Sequence, residues 1–128
     1  MRVYISGKMT ECPDLNRPAF DAAEKRLTAQ GHFVINPHDI SPLFGSAEEL
    51  ANSFHGLYML EQVGVNSICS PRLARAVMDA DLAAVRSCDA IYLLRGWESS
   101  RGVKKELAEA LSHGLEIMQE DPDQPQKP

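Results

Sequence analysis

The opening of the chain constrains its fold more than any other stretch. Arg2 to Ser6 is a short β-branched and aromatic run that stops at Gly7, the pattern of a buried strand entering a tight turn. Asn16 stands where a helix cap belongs, and Pro18 falls in the first turn. Phe20, Ala23, Leu27 and Gln30 then recur at helical spacing until Gly31. His32 to Asn36 reads as a second strand closed by Pro37. A strand, a helix and a strand joined this tightly favour a parallel pair with a right-handed crossover.

The elements that follow extend the pattern. Ala47 to Gln62 has helix-like apolar spacing within a stretch, His38 to Pro71, that is otherwise hard to read, and Gly64 to Pro71 resembles a flexible loop. Arg72 to Ser87 is a helix with Pro71 at its start. Asp89 to Leu94 is an almost wholly apolar strand, as expected of a central strand covered on both faces. Arg95 to Ser100 forms a loop, Arg101 to His113 a helix ended by Gly114, and Leu115 to Met118 a last strand. This order predicts an α/β fold: a Rossmann-like or flavodoxin-like three-layer sandwich with a four- to five-stranded parallel sheet. Residues 1–119 form one domain, and 120–128 are expected to be a disordered tail, since Asp121 to Pro128 holds three prolines and no apolar residue.

Ligands of such folds bind at the carboxyl ends of the strands, here the loops Gly7–Asp14, Asn36–Pro42 and Arg95–Arg101. The net charge of −5 argues against duplex nucleic acid as a partner, because that binding needs many cationic contacts to phosphate. No apolar run approaches the about 20 residues that span a bilayer, so no membrane partner is expected. Three cysteines without C-x-x-C spacing read as free thiols of a reducing, cytoplasmic protein. No metal cluster, dinucleotide loop, P-loop or nucleophile elbow is present, and no cofactor is expected.

The candidates for chemistry are few. Asp81 lies among Val77, Met78, Leu82 and Val85 at helical spacing; it is either a carboxylate at the stripe's edge reaching water or Arg75, or a buried group with a task. Glu106 flanks a stripe of Val103, Leu107, Ala110 and Leu111 near a helix start, where the helix dipole alone would favour an acid. Ser100 suits the N-cap of that helix, and with Gly102 it borders backbone N–H groups that can cradle a phosphate. Lys8, after Ser6 and Gly7, offers a cation, or is simply an exposed lysine. His38 and Asp39 follow the second strand as loop residues or ligands.

Together these spacings resemble a family. Tyr4-Ile-Ser-Gly7, Ile35-Asn-Pro37, Asp81 eight residues before Asp89, Cys88-Asp-Ala-Ile-Tyr-Leu-Leu94 and Gly96-Trp-Glu-Ser-Ser-Arg-Gly-Val-Lys-Lys-Glu106 resemble the nucleoside 2-deoxyribosyltransferase superfamily, especially a branch of small phage and bacterial proteins. The likeness runs from about residue 2 to 118 and is weakest between His38 and Pro71. It implies a glutamate nucleophile at Glu106, an orienting tyrosine at Tyr4, and an aspartate at Asp81 that contacts or protonates the departing base. Ser100, six residues before Glu106, stands where nucleoside transferases carry an aspartate and monophosphate N-hydrolases a serine. The resemblance therefore implies hydrolysis of a (2′-deoxy)nucleoside 5′-monophosphate, with Ser6, Gly7, Lys8, Ser100, Arg101 and Gly102 on the substrate. A deoxyribosyltransferase and a non-catalytic nucleotide-binding or sensing module are the alternatives. It also implies a homodimer or higher homo-oligomer, in which Met118–Asp121 could reach a neighbouring cleft.

Overall fold

A computed structural model describes residues 1–9, 12–63 and 71–120. The loop expected at 64–70 and the tail expected over 121–128 lie outside the described residues. Among the described residues four strands form one sheet: β1 (Arg2–Ser6), β2 (Phe33–Ile35), β3 (Ala90–Leu93) and β4 (Glu116–Gln119). Their order is β2-β1-β3-β4 and every pairing is parallel, so the sheet has four strands and the Rossmann-like or flavodoxin-like expectation holds. The helices are α1 (Arg17–Ala29), α2 (Ala47–Val63), α3 (Arg72–Arg86) and α4 (Arg101–Ser112). Expected and observed ends differ by a residue or two, as fraying element ends do.

Strand parity sorts the core into two layers. Val3 and Ile5 point to one face, where Phe20, Ala23 and Leu27 of α1 cover them together with Tyr92 and Leu94. Tyr4 points to the other, against Val85 of α3, Val103 and Ala110 of α4, and Ile91 and Leu93 of β3. Both faces of β1 and β3 are thus dry, which explains their continuous apolar sequences.

Helix starts correct one expectation and add two devices. Asn16 does not cap α1: its backbone is left-handed (φ 62°), and its side-chain amide instead donates to the Lys8 carbonyl at 3.0 Å. It ends a run of three left-handed residues, Asp14, Leu15 and Asn16. At α2, Ser46 and Glu49 form a reciprocal capping box, with bonds of 3.2 and 2.9 Å. At α3, Pro71 has no side chain able to cap, and Ser53 of α2 takes its place by accepting from the Ala74 N–H at 2.7 Å. A bond from a neighbouring helix thus does the work of a cap and fixes α2 against α3. Leu111 is a second correction: it is 62% exposed, because the buried face of α4 is closed by Val103 and Ala110, with Leu107 packed beside them.

Candidate active site

The carboxyl ends of β1 and β2, the start of α4 and the facing sides of α2 and α3 line a cavity of about 320 Å³. Glu106, in the second turn of α4, brings its carboxylate to the end of β1. Oε2 accepts a hydrogen bond from the Tyr4 hydroxyl at 2.7 Å, and Oε1 accepts one from Ser6 Oγ at 2.5 Å. Tyr4 and Ser6 are two residues apart on a strand and therefore share a face; both are fully buried.

Burial raises Glu106 from its ordinary 4.5 to about 7, against the pull of the bonds from Ser6 and then Tyr4, which favour the charged form. Asp81, on α3, lines the same cavity. Burial and, after it, the charge of Glu106 raise Asp81 from 3.8 to about 8. Its Oδ1 is buried with no hydrogen-bond partner. Asp81 thus has one oxygen buried without a partner while the residue keeps intermediate exposure, and it does not make the pairing with Arg75 that its sequence context allowed. At neutral pH it is mostly protonated while Glu106 is partly ionised. Two carboxyl groups with displaced affinities facing one cavity make a proton donor and an anion. The same burial, followed by Glu106, pushes the Tyr4 phenol well above its ordinary value, so Tyr4 serves as a donor.

The opposite end of the cavity is the start of α4. Ser100 caps the helix in an extended conformation, its Oγ accepting from the Val103 N–H at 3.3 Å. Ser100, Arg101, Gly102 and Lys105 all line the space. The Arg101 guanidinium lies 5.6 Å from the centre of the Tyr58 ring of α2. Gly7 also lines the cavity, and a Cβ there would come within 2.6 Å of the Leu94 side chain, so the strand can reach the site only with glycine at this position.

The remaining expected positions fall elsewhere. Lys8 is not among the cavity-lining residues. His38 is buried, with Nε2 3.1 Å from the Leu15 carbonyl and its ring edge-on to Phe20 at 4.8 Å. Burial lowers its pKa, and it ties β2 to the left-handed turn instead of facing the cavity. Asp39 is exposed. Leu50, Phe54, His55 and Tyr58 of α2 line the cavity, although nothing in the sequence marked them as site residues. Their signal is the pairing of Phe54 and Tyr58 one helical turn apart, with ring centres 6.1 Å apart. Glu120, within the segment expected to reach a neighbour, is engaged in its own chain: it accepts from Arg26 and from the Arg95 backbone N–H, both at 2.9 Å.

Among the described residues no three His, Cys, Asp or Glu side chains gather as a metal site would require. No helix among them is long and apolar enough to cross a membrane. A comparison with curated proteins finds no match. A family model described as "Domain of unknown function (DUF4406)" matches residues 1–119, which includes every strand and helix of the fold and all the groups around the cavity. The chain belongs to that family.

Proposed function

We propose that the protein hydrolyses the N-glycosidic bond of a (2′-deoxy)nucleoside 5′-monophosphate, with Glu106 as the nucleophile. The observation that carries this reading is the pair of carboxyl groups at one end of the cavity, Glu106 held by two hydroxyls and Asp81 mostly protonated beside it. In the first step a Glu106 oxygen forms a bond to the anomeric carbon while the bond to the base breaks. The bonding electrons leave with the base nitrogen, which takes the Asp81 proton. In the second step water attacks the same carbon, its proton passes to Asp81, and the Glu106 carboxylate is released. This is the double displacement of a retaining glycosidase.

The far end of the cavity supports a phosphate on the substrate. Glu106 stands six residues beyond Ser100, about 9 Å along a helix axis, which leaves room for a sugar between an attacking oxygen and an anion at the helix start. Backbone N–H groups there, with Arg101 and Lys105, favour an anion. The apolar walls from α2 and α3 suit a flat base.

The test is a panel of ribo- and deoxyribonucleoside monophosphates, with released base read by chromatography. Base release is expected to rise through pH about 7 as Glu106 ionises and to fall above about 8 as Asp81 loses its proton. Glu106→Ala should lower it at least about a thousandfold. Unimpaired release by that variant sinks the mechanism, and no release from any nucleotide sinks the activity. A free acceptor base added to the mixture separates hydrolysis from transfer, since only a transferase yields an exchanged nucleoside.

A further inference from the structure

The hydroxyl of Ser6 sits where chain packing has no use for it. Its neighbours along and across the sheet, Ile5, Leu93 and Leu94, are apolar and buried, and Ser6 itself is fully buried. A buried hydroxyl is costly unless it is bonded, and alanine would fill a strand end of this kind without that cost. The bond that Ser6 makes is to Glu106 Oε1, the oxygen that Tyr4 leaves open. A carboxylate held through one oxygen can still swing its plane about its last bond. Held through both, it cannot turn without breaking a hydrogen bond. The two donors also reach differently, because the long Tyr4 side chain and the short Ser6 side chain meet one carboxylate from alternate positions of a single strand.

We propose that Ser6 is a positioning residue for Glu106, the second of two clamps that fix the plane of its carboxylate and leave the remaining lone pairs facing the cavity. This role rests on the reading of Glu106 as the reacting carboxylate. It moves Ser6 from the substrate, where the family resemblance put it, to the group that attacks the substrate. Tyr4 and Ser6 of β1 bond Glu106 and Asp81 of α3 acts on it through its charge, while His55 of α2 and Arg101 and Lys105 of its own helix are the other titratable groups that line the same cavity. Ser6→Ala takes away a donor to Glu106 without removing or adding a charge or emptying a large volume.

The test follows Glu106 directly. Glutamate labelled with ¹³C at the side-chain carboxyl is incorporated into the whole chain, and the Glu106 resonance is assigned by its loss in Glu106→Gln. In Ser6→Ala the titration midpoint of Glu106 should rise by roughly one pH unit, the effect of losing a hydrogen bond to a charged group. Ser6→Thr, which keeps the hydroxyl, should restore it. Ser6→Cys, with a weaker donor of similar size, should fall between and serves if the alanine variant does not fold. In the nucleotide assay Ser6→Ala should lower kcat about ten- to a hundredfold, with KM nearly unchanged. A midpoint unmoved by Ser6→Ala or Ser6→Cys, with an unchanged circular dichroism spectrum, overturns the proposal. A midpoint that moves in a protein releasing no base upholds the clamp and rejects the glycosidase reading, so the two failures are distinct.

Discussion

At the residue scale the site is defined by carboxyl groups that are costly to ionise. Asp81 and Glu106 are raised in the folded chain to about 8 and about 7, above their ordinary 3.8 and 4.5. In the unfolded chain both ionise near pH 4, so the stability linked to their protonated forms is full below that pH. It is lost as pH rises through about 7 and then about 8. Asp81→Asn removes the charge of the group whose Oδ1 is buried without a hydrogen-bond partner. The variant is expected to be more stable than the parent at pH 9 by roughly 1–3 kcal/mol, and about equal to it at pH 4. Thermal melts at the two pH values check this, and a variant no more stable at pH 9 would show that Asp81 ionises freely. Only the family resemblance implied that Asp81 and Glu106 serve one site; periodicity by itself carried them as far as the edges of apolar stripes. It could not show that they share a cavity, because residues 81 and 106 belong to helices separated by a strand. Nor could it reveal Ser6 as the partner of Glu106, a contact between residues 100 positions apart.

At the element scale, legibility followed the number of faces an element buries. The strands β1 and β3 and the helices α1 and α3 each have a one-sided or fully apolar pattern, and their positions in the sequence were accordingly clear. α2 was the least legible, and its sequence gives the reason: beside the stripe of Leu50, Phe54, Leu57 and Tyr58 it carries Met59, Leu60 and Val63 at positions outside that stripe, so apolar residues recur around much of its circumference. Its bond from Ser53 to the start of α3 was equally hidden, since a cap is normally sought next to the helix it serves. Ser53→Ala should therefore destabilise the protein by about 1 kcal/mol, although it lies within a helix where alanine is otherwise the better residue. Denaturant unfolding measures the sign. A neutral or stabilising result would mean that propensity outweighs the bond.

At the scale of the whole molecule, the part-buried pair of Arg26 and Glu120 joins α1 to the end of β4, across the face opposite Glu106. Glu120 also holds the Arg95 backbone, so the loop leading to Ser100 and α4 is anchored from the far side of the sheet. The family match covers these parts up to residue 119, one short of Glu120, and the sheet ties them into one unit. Within that unit β1 has a special place, with β2 on one side and β3 on the other. Its amides should exchange with solvent deuterium only when the entire chain opens, while those at the outer edges of β2 and β4 exchange through smaller, cheaper fluctuations. Exchange followed by NMR should therefore place Tyr4 and Ile5 among the slowest amides, and fast exchange there would contradict the central role of the strand. The two hydroxyls that hold Glu106 are thus attached to one of the two central strands of the sheet. Fraying at the outer strands therefore leaves the two donors of the Glu106 clamp in place.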